Sequence, residues 1–586
     1  MMQPDRTNDH ANDHAGQPSP IPGPGLYIAI WVLLMAVSLF TRPILPVDET
    51  RYLAVAWEMW HSNNFLVPHL NGETYSHKPP LLFWAFHIGW NVFGINDWWP
   101  RLIAPLFGLG TLYLTVKLAL QIWPQRQHIS ALAPLILIGC LFWALFTTMT
   151  MFDMIVAFFS VLGLLGIVIA WRAHGAGTSS CKGFMIFAIA IGFGLLAKGP
   201  AILLHVLPVA LLAPLWGKHL EGLQTEAKPS GLLGWYMRIL FAVVLGTLIV
   251  LAWAIPAAAA GGEAYANAIF WGQSAGRMVN SFAHGRPWWW YLAVLPPLLL
   301  PWFVWPRLWR ATQQIGKRCL DDSGIRFCLC WFVPAFVAFS LISGKQLHYL
   351  LPEFPALAMM MAFMLTTSTV TKNVTKNATP NVTTNERPDS LQRSLWVPVI
   401  FFIFIGALIV FTMPGLLPEK FKTRYPTMTY EWAWLISIAG VIILWLPIKT
   451  LRQCIIALTG LSAATAMAVH LIVMPMMMNS FDIRPLARQL GGWERQGIGL
   501  AHMNKYHGQY HFAGRLTQPM ALVGNSPNQL ENWMAKNPTG RVVTYYNPGK
   551  IPTAAKPVYV RRFRGTYAVV WDVKTILAHP GIAYRK

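Results

Sequence analysis

The chain has 586 residues with a mean hydropathy of +0.44; 55% of them are hydrophobic and only 12% are charged, against roughly 25% in an ordinary soluble protein. That composition excludes a soluble enzyme and identifies a polytopic membrane protein. The formal net charge of +22, from 45 Lys and Arg against 23 Asp and Glu, would point to nucleic acid in a soluble chain. Here it must first be divided between two membrane faces, and no nucleic-acid partner is implied.

The stretch to Gly25 is polar and rich in Pro and Gly, carries Asp5, Asp9 and Asp13, and lacks the basic start and small-residue cleavage site of a signal peptide. It is expected to be a disordered cytoplasmic tail. From there to about residue 476 the apolar runs are about 16–24 residues long, close to the roughly 20 that a helix needs to cross hydrocarbon. They predict about thirteen spans, at 26–41, 101–122, 129–149, 154–171, 183–198, 200–216, 237–259, 288–306, 326–342, 347–368, 395–414, 430–448 and 452–474. Segment 79–95 is short and carries His87 and Asn91, which predicts an amphipathic helix lying in the interface.

With the first residues inside, the even connections and their span ends hold about 18 Lys and Arg and the odd ones about 11. This bias places the odd connections, including the long loops 42–100 and 260–287, and the C-terminus outside. Cys140, Cys181, Cys319, Cys328, Cys330 and Cys454 then fall within spans or inside segments, and no disulfide is implied. Asn373, Asn377 and Asn381 begin Asn-x-Thr triplets that resemble glycosylation sequons, but on the inside they form a polar, low-complexity linker.

After residue 476 the composition changes. Alternating runs at 520–524, 541–546 and 567–571 surround a helical stretch, 528–536, and predict a small α/β domain over 477–586. With about 15 Lys and Arg against 4 Asp and Glu, this outward module suits a position above anionic headgroups or serves as an ordinary basic cap.

The outer connections carry the chemistry. Asp48 and Glu49 directly follow the first span, and Arg51 and Tyr52 lie one helical turn on, so a carboxylate and a guanidinium converge on one small site. Charges at the rim of a span are functional candidates, the alternative being an interfacial ion pair. The other connections repeat the theme with Asp153, Lys198 and Lys345, and the 260–287 loop adds Arg277, His284 and Arg286. Positive-inside bias should purge cations from the outer face, so Arg51, Lys78, Lys198, Arg277, Arg286 and Lys345 need another reason. Headgroup snorkelling is one reason and an anionic ligand at the outer surface is another. Phosphate suits Arg as a bidentate fork and Lys as a point charge, while Asp48, Glu49 and Asp153 suit a metal, an ammonium group or a base.

Asp48, Glu49, Arg51 and Tyr52, then Asn71-Gly72, Lys78-Pro79, Lys198-Gly199, Arg277, the run from His284 to Tyr291, and Gly344-Lys345 together resemble the bacterial lipid A aminoarabinose transferases. These are GT-C-fold relatives of the protein O-mannosyltransferases that use polyprenyl-phosphate sugars. The likeness is strong over about residues 26–370 and elsewhere one of layout. One departure is His77: many family members have a Glu just before the Lys that corresponds to Lys78.

The resemblance implies an all-α GT-C membrane fold in the bacterial inner membrane with a periplasmic active site. The implied donor is undecaprenyl phosphate carrying 4-amino-4-deoxy-L-arabinose, and the acceptor is a lipid A phosphate; the modification confers resistance to polymyxin and cationic peptides. The candidate catalytic acids are Asp48, Glu49 and Asp153. The candidate substrate-binding residues are Arg51, Tyr52, Tyr75, Lys78, Lys198, Arg277, His284, Arg286, Lys345 and Tyr349. Asp48 and His77 are the candidate ligands for a divalent metal, which the chemistry does not require. Membrane lipids are the remaining partners, and the chain is expected to act as a monomer. Other polyprenyl-phosphate-dependent transferases are an alternative. A secondary transporter would keep its ions near the midplane of broken helices, often with internal repeats, and a lipid flippase would need the cations but not the acids.

Overall fold

The computed structural model describes residues 24–222, 231–272, 285–370, 388–416, 429–503, 505–524 and 526–583. The expected tail to residue 23, the Asn373–Asn381 repeat, Arg277 and His284 lie outside the described residues.

Among the described residues, seven helices are long and apolar enough to cross a membrane: Trp98–Ile122, Phe152–Gly175, Cys181–Lys198, Leu232–Gly261, Ser323–Leu341, Leu347–Ser368 and Leu451–Pro475. Six shorter apolar helices of 10–17 residues accompany them. Thirteen unbroken spans are therefore not seen among the described residues, and the local reasons are visible. The apolar run 129–149 divides at Gly139-Cys140 into helices Gln127–Ile138 and Leu141–Phe146, and the amide of Leu141 turns away to the carbonyl of Leu300 at 2.8 Å. The run 288–306 contains Pro296, Pro297 and Pro301, which remove amide donors and limit its helix to Trp290–Leu298. Leu81–Phe93, at 13 residues, rises only about 20 Å and falls short of a bilayer core of roughly 30 Å. It buries Leu82, Phe83, Phe86 and Trp90 and exposes Ile88, Val92 and Phe93, as an interfacial helix should.

We label the elements that position the site. Helices α1 (Gly25–Thr41) and α2 (Asp48–His61) are followed by strands β1 (His69–Leu70) and β2 (Glu73–Thr74), which pair as a small antiparallel hairpin. Then come α3 (Leu81–Phe93), α4 (Trp98–Ile122), α5 (Gln127–Ile138), α6 (Leu141–Phe146), α7 (Phe152–Gly175), α8 (Cys181–Lys198) and α9 (Ala201–Leu211). The α7–α8 hairpin is closely packed because two glycines meet at its crossing. A Cβ on Gly183 would lie 2.5 Å from the carbonyl oxygen of Gly166 and 2.4 Å from the amide of Ala170. This close approach brings the start of α7 and the end of α8 to the same level.

Helix Leu451–Phe481 leads into a five-stranded sheet. Its order is β4 (Ala521–Leu522), β3 (Leu500–His502), β5 (Arg541–Tyr546), β7 (Thr566–Asp572) and β6 (Tyr559–Phe563). β3 runs parallel to β4 and β5, while β7 is antiparallel to both β5 and β6, with Val543 opposite Val570. Alternate residues serve opposite faces. Leu500, Val543, Ala568 and Val570 pack with Leu486, Leu490 and Tyr510, whereas Ala501, Val542, Val569 and Trp571 pack with Leu530, Met534 and Ile576.

The sheet segment rests on α2, the β1–β2 hairpin and α3. Trp57 Nε1 donates to the Leu516 carbonyl at 2.7 Å, Trp90 stacks on Phe512 at 5.3 Å, and Asn71 makes paired hydrogen bonds to the backbone of Met520, at 2.8 and 3.1 Å. Gly508, at φ +71°, brings its backbone against Ala54 and Leu70 where a Cβ would clash.

Candidate active site

The site is built where α1 ends and α2 begins. Glu49 is 3% exposed and fully engaged: it forms an ion pair with Arg42 and accepts from the amides of Leu45 and Thr150, each at 2.8 Å. Arg42 also donates to the Thr148 carbonyl at 3.0 Å, and Arg101 donates to the carbonyls of Ser38, Leu39 and Arg42 at 2.8–3.1 Å. Burial raises the Glu49 carboxyl, but the Arg42 charge and the hydrogen bonds more than offset this and hold it below its ordinary value. Glu49 thus ties the α1–α2 loop to the loop before α7.

Asp48 faces the other way. Its side chain is 50% exposed and pairs with Arg51 one turn along α2. Next to Arg51, Tyr52 packs edge-on against Phe152 at 4.9 Å. Phe83 lies 6.0 Å from Phe152 and 6.3 Å from Tyr75, and Tyr75 packs on His77 at 5.2 Å. The result is an aromatic floor beneath the ions. Burial, followed by the Asp48 charge, pushes the Tyr52 hydroxyl well above its ordinary range, so it stays a neutral donor.

Above that floor, Lys78 Nζ lies 5.5 Å from the Phe152 ring centre. Asp153, in the first turn of α7, pairs with Lys198, the last residue of α8, at 2.5 Å. The other Asp153 oxygen is 3.8 Å from His348 Nε2, and Lys198 Nζ sits 4.4 Å over the Tyr349 ring. Lys78 is within electrostatic reach of both Asp153 and His348. Four separate stretches of chain therefore bring acids, cations and aromatic rings to one helix-end level.

Lys345 is 3% exposed and donates to the carbonyls of Ile342 at 2.6 Å and Arg286 at 3.0 Å. A bridge between Gly285 and Gly344 and a hydrogen bond from Arg286 N to Ser343 complete the join, and the Arg286 guanidinium lies over Trp290 at 5.9 Å. Tyr291 donates to Gln346 at 2.8 Å from the same join. Lys345 therefore acts on the backbone here, holding the segment that carries Arg286.

The structure brings together Asp48, Arg51, Tyr52, Tyr75, Lys78, Asp153, Lys198 and Tyr349, and places Lys345 and Arg286 at the adjoining join. Glu49 lies behind them, sealed by Arg42. Sequence reasoning gave no role to His348, Arg42 or Arg101, although each is a lone ionisable group at a span end, the signal that singled out Asp153. Among the described residues no group of three or more His, Cys, Asp and Glu side chains is placed to hold a metal ion, and His77 is 5.2 Å from the Tyr75 ring.

Known proteins resemble this chain in sequence and in fold. The family model for dolichyl-phosphate-mannose-protein mannosyltransferases matches residues 24–260. The chain is 29% identical over 344 residues to an undecaprenyl phosphate-alpha-4-amino-4-deoxy-L-arabinose arabinosyl transferase of Erwinia tasmaniensis, covering 58% of each chain. It is 30% identical over 350 residues to one of Sodalis glossinidius, again covering 58% of each. The match thus spans about 58% of the length of these curated relatives. The crystal structure of ArnT from Cupriavidus metallidurans bound to undecaprenyl phosphate superposes with a TM-score of 0.68 at 18% identity, covering 93% of this chain and 97% of that one. The expected resemblance is borne out in sequence, and at the level of architecture the chain has the fold of the Cupriavidus transferase over 93% of its length.

Proposed function

We propose that this protein is an inner-membrane glycosyltransferase that moves 4-amino-4-deoxy-L-arabinose from undecaprenyl phosphate to a lipid A phosphate at the periplasmic face. The observation that carries the proposal is the meeting of Lys78, Asp153, Lys198, His348 and Tyr349 at one level of the helix ends, over an aromatic floor. Neither lipid leaves the membrane, so the reaction needs a cationic site at the surface; the names of the sequence relatives supply the sugar and the carrier.

In the transfer, the bond between the anomeric carbon and the donor phosphate oxygen breaks, and an oxygen of the acceptor phosphate forms the new bond. The acceptor is ionised at neutral pH, so no strong base is required. The residues must bring two anions together and stabilise the departing phosphate. Lys78 and Arg277 clamp the donor phosphate, with Lys198 and Arg286 behind them. Asp153 orients Lys198 and offers its second oxygen to the sugar ammonium group. Asp48 steers the acceptor or stabilises positive charge on the sugar, and Tyr52 and Tyr75 supply neutral donors. Glu49 and Lys345 hold backbone segments in place. The five short apolar helices other than α3, together with the run that holds Trp290–Leu298, complete thirteen crossings, and residues 477–586 form a periplasmic module of a monomeric enzyme that closes over α2. A transporter is disfavoured, because Asp153, Lys198 and His348 lie at helix ends.

The test is mass spectrometry of lipid A from cells with and without the protein. Aminoarabinose on a lipid A phosphate only when the protein is present is the expected result. Unchanged lipid A alongside an altered glycoprotein or other glycan would move the chain to a different polyprenyl-phosphate-dependent transferase.

A further inference from the structure

Inside the apolar bundle, one polar contact has no part in the site described above. His205 of α9, 2% exposed, and Glu353, 0% exposed, share a hydrogen bond of 2.5 Å between Nδ1 and Oε1. Glu353 Oε2 is buried and makes no hydrogen bond in the structure. Removing such a pair from water is costly, and apolar side chains of similar volume usually fill the same space without loss of stability. An ionisable pair at this depth therefore calls for a role other than stability.

Its position supplies one. His205 lies seven residues beyond Lys198, and Glu353 closes the 3-10 turn Leu347–Glu353 that opens with His348 and Tyr349. Lys198 ends α8 and Ala201 begins α9, so the chain from Lys198 to His205 meets the turn twice, at Lys198 over Tyr349 and at His205 on Glu353. Phe339 fills the space between the joins, 5.2 Å from His205 and 5.8 Å from Tyr349. A 3-10 turn has poor internal hydrogen-bond geometry and holds its own shape weakly. The turn carrying His348 and Tyr349 needs an external tie, and this bond is that tie.

We propose that His205 and Glu353 are positioning residues: their hydrogen bond fixes the turn that presents His348 to Asp153 and Tyr349 to Lys198. In its catalytic consequence the proposal rests on the transferase reading above, since a loosened turn misplaces the groups around the donor phosphate.

The test compares Glu353→Gln, Glu353→Ala and the double substitution His205→Leu with Glu353→Leu, each purified as the full chain. Gln both donates and accepts, so it keeps the bond in either imidazole tautomer and should retain activity within about threefold and the wild-type amide exchange over 347–353. Glu353→Ala and the Leu pair should lower kcat about tenfold or more with little change in KM for lipid A, and should speed that exchange by a similar factor. The Leu pair should do so while keeping the wild-type melting temperature, which separates positioning from stability. Wild-type kcat and exchange in the Leu pair, or a Gln variant as impaired as Ala, would overturn the proposal. The exchange measurement needs no substrate, so if the wild-type protein fails to modify lipid A the transferase reading falls, while exchange alone still decides whether the tie exists.

Discussion

Asp48 and Glu49 are adjacent in sequence but lie in opposite environments: Asp48 is half exposed and paired with Arg51, while Glu49 is sealed against Arg42 with both oxygens engaged. Substitution should separate them. Asp48→Asn keeps size and removes charge from an open position, so the protein should fold, insert and lose transfer. Glu49→Gln strands the Arg42 charge in a buried site, which costs about 3–5 kcal/mol where measured for such pairs. Thermal unfolding and transfer assays on both variants check this; a stable, fully active Glu49→Gln would refute the structural role.

The same ion pair sets a pH dependence. The folded-state value of Glu49 lies below its ordinary value of 4.5, so its contribution to stability is fully present above that pH and is lost as pH falls through the depressed value. The difference in melting temperature between wild type and Glu49→Gln should accordingly be widest near neutrality and shrink on acidification below 4.5. A constant difference across that range would show that Glu49 is not the group being protonated.

Lys78→Ala and Arg277→Ala should each weaken binding of undecaprenyl phosphate, whatever sugar is attached, because the contact is with phosphate. Charge-assisted hydrogen bonds are worth roughly 1.5–3 kcal/mol, which converts to about tenfold or more in affinity. Asp48→Asn should leave this affinity largely intact. Lipid binding to purified variants decides the matter, and unchanged affinity in both cation variants would move the phosphate site towards Arg286.

Much of this arrangement is legible in the sequence because ions at span ends stand out against an apolar background. Asp153 and Lys198 are visible in that way, but their pairing across 45 residues depends on the glycine crossing of α7 and α8, which spacing alone does not reveal. His205 and Glu353 carry the same signal, a lone ionisable residue within an apolar run, but they lie inside the runs and not in the loops where the other ions gather, and spacing gives no hint that they meet. In the terminal segment, the strands at 521–522, 541–546 and 566–572 and the helix at 527–536 follow the alternating runs. Strand β3 has only three residues, and β6 is an edge strand carrying Arg561 and Arg562, so neither shows a clean period of two. Asn71-Gly72 is recognisable as a motif, but its reason lies in geometry. Both residues have positive φ, their amides donate to Glu58 at 2.5 and 3.0 Å, and the Asn71 side chain docks on Met520.

Every proposed role depends on which face of the membrane carries Asp48. The contacts of Trp57 with Leu516 and of Asn71 with Met520 require the sheet segment and the α2 loops to share one face, so a label on one reports on both. Leu530 is fully buried and would resist labelling, whereas its neighbour Glu531 is exposed, as are Glu73 at the start of β2 and Lys317 at the opposite set of connections. In a cysteine-free background, an impermeant thiol reagent applied from the periplasmic side should modify Glu531→Cys and Glu73→Cys and spare Lys317→Cys until the membrane is opened. Labelling of Lys317→Cys alone would invert the topology and place the cationic site on the cytoplasmic face, where transfer to lipid A in the outer leaflet is impossible. Labelling of all three from one side would mean that the basic connections do not mark the inner face, and the charge bias that orients the chain would lose its force.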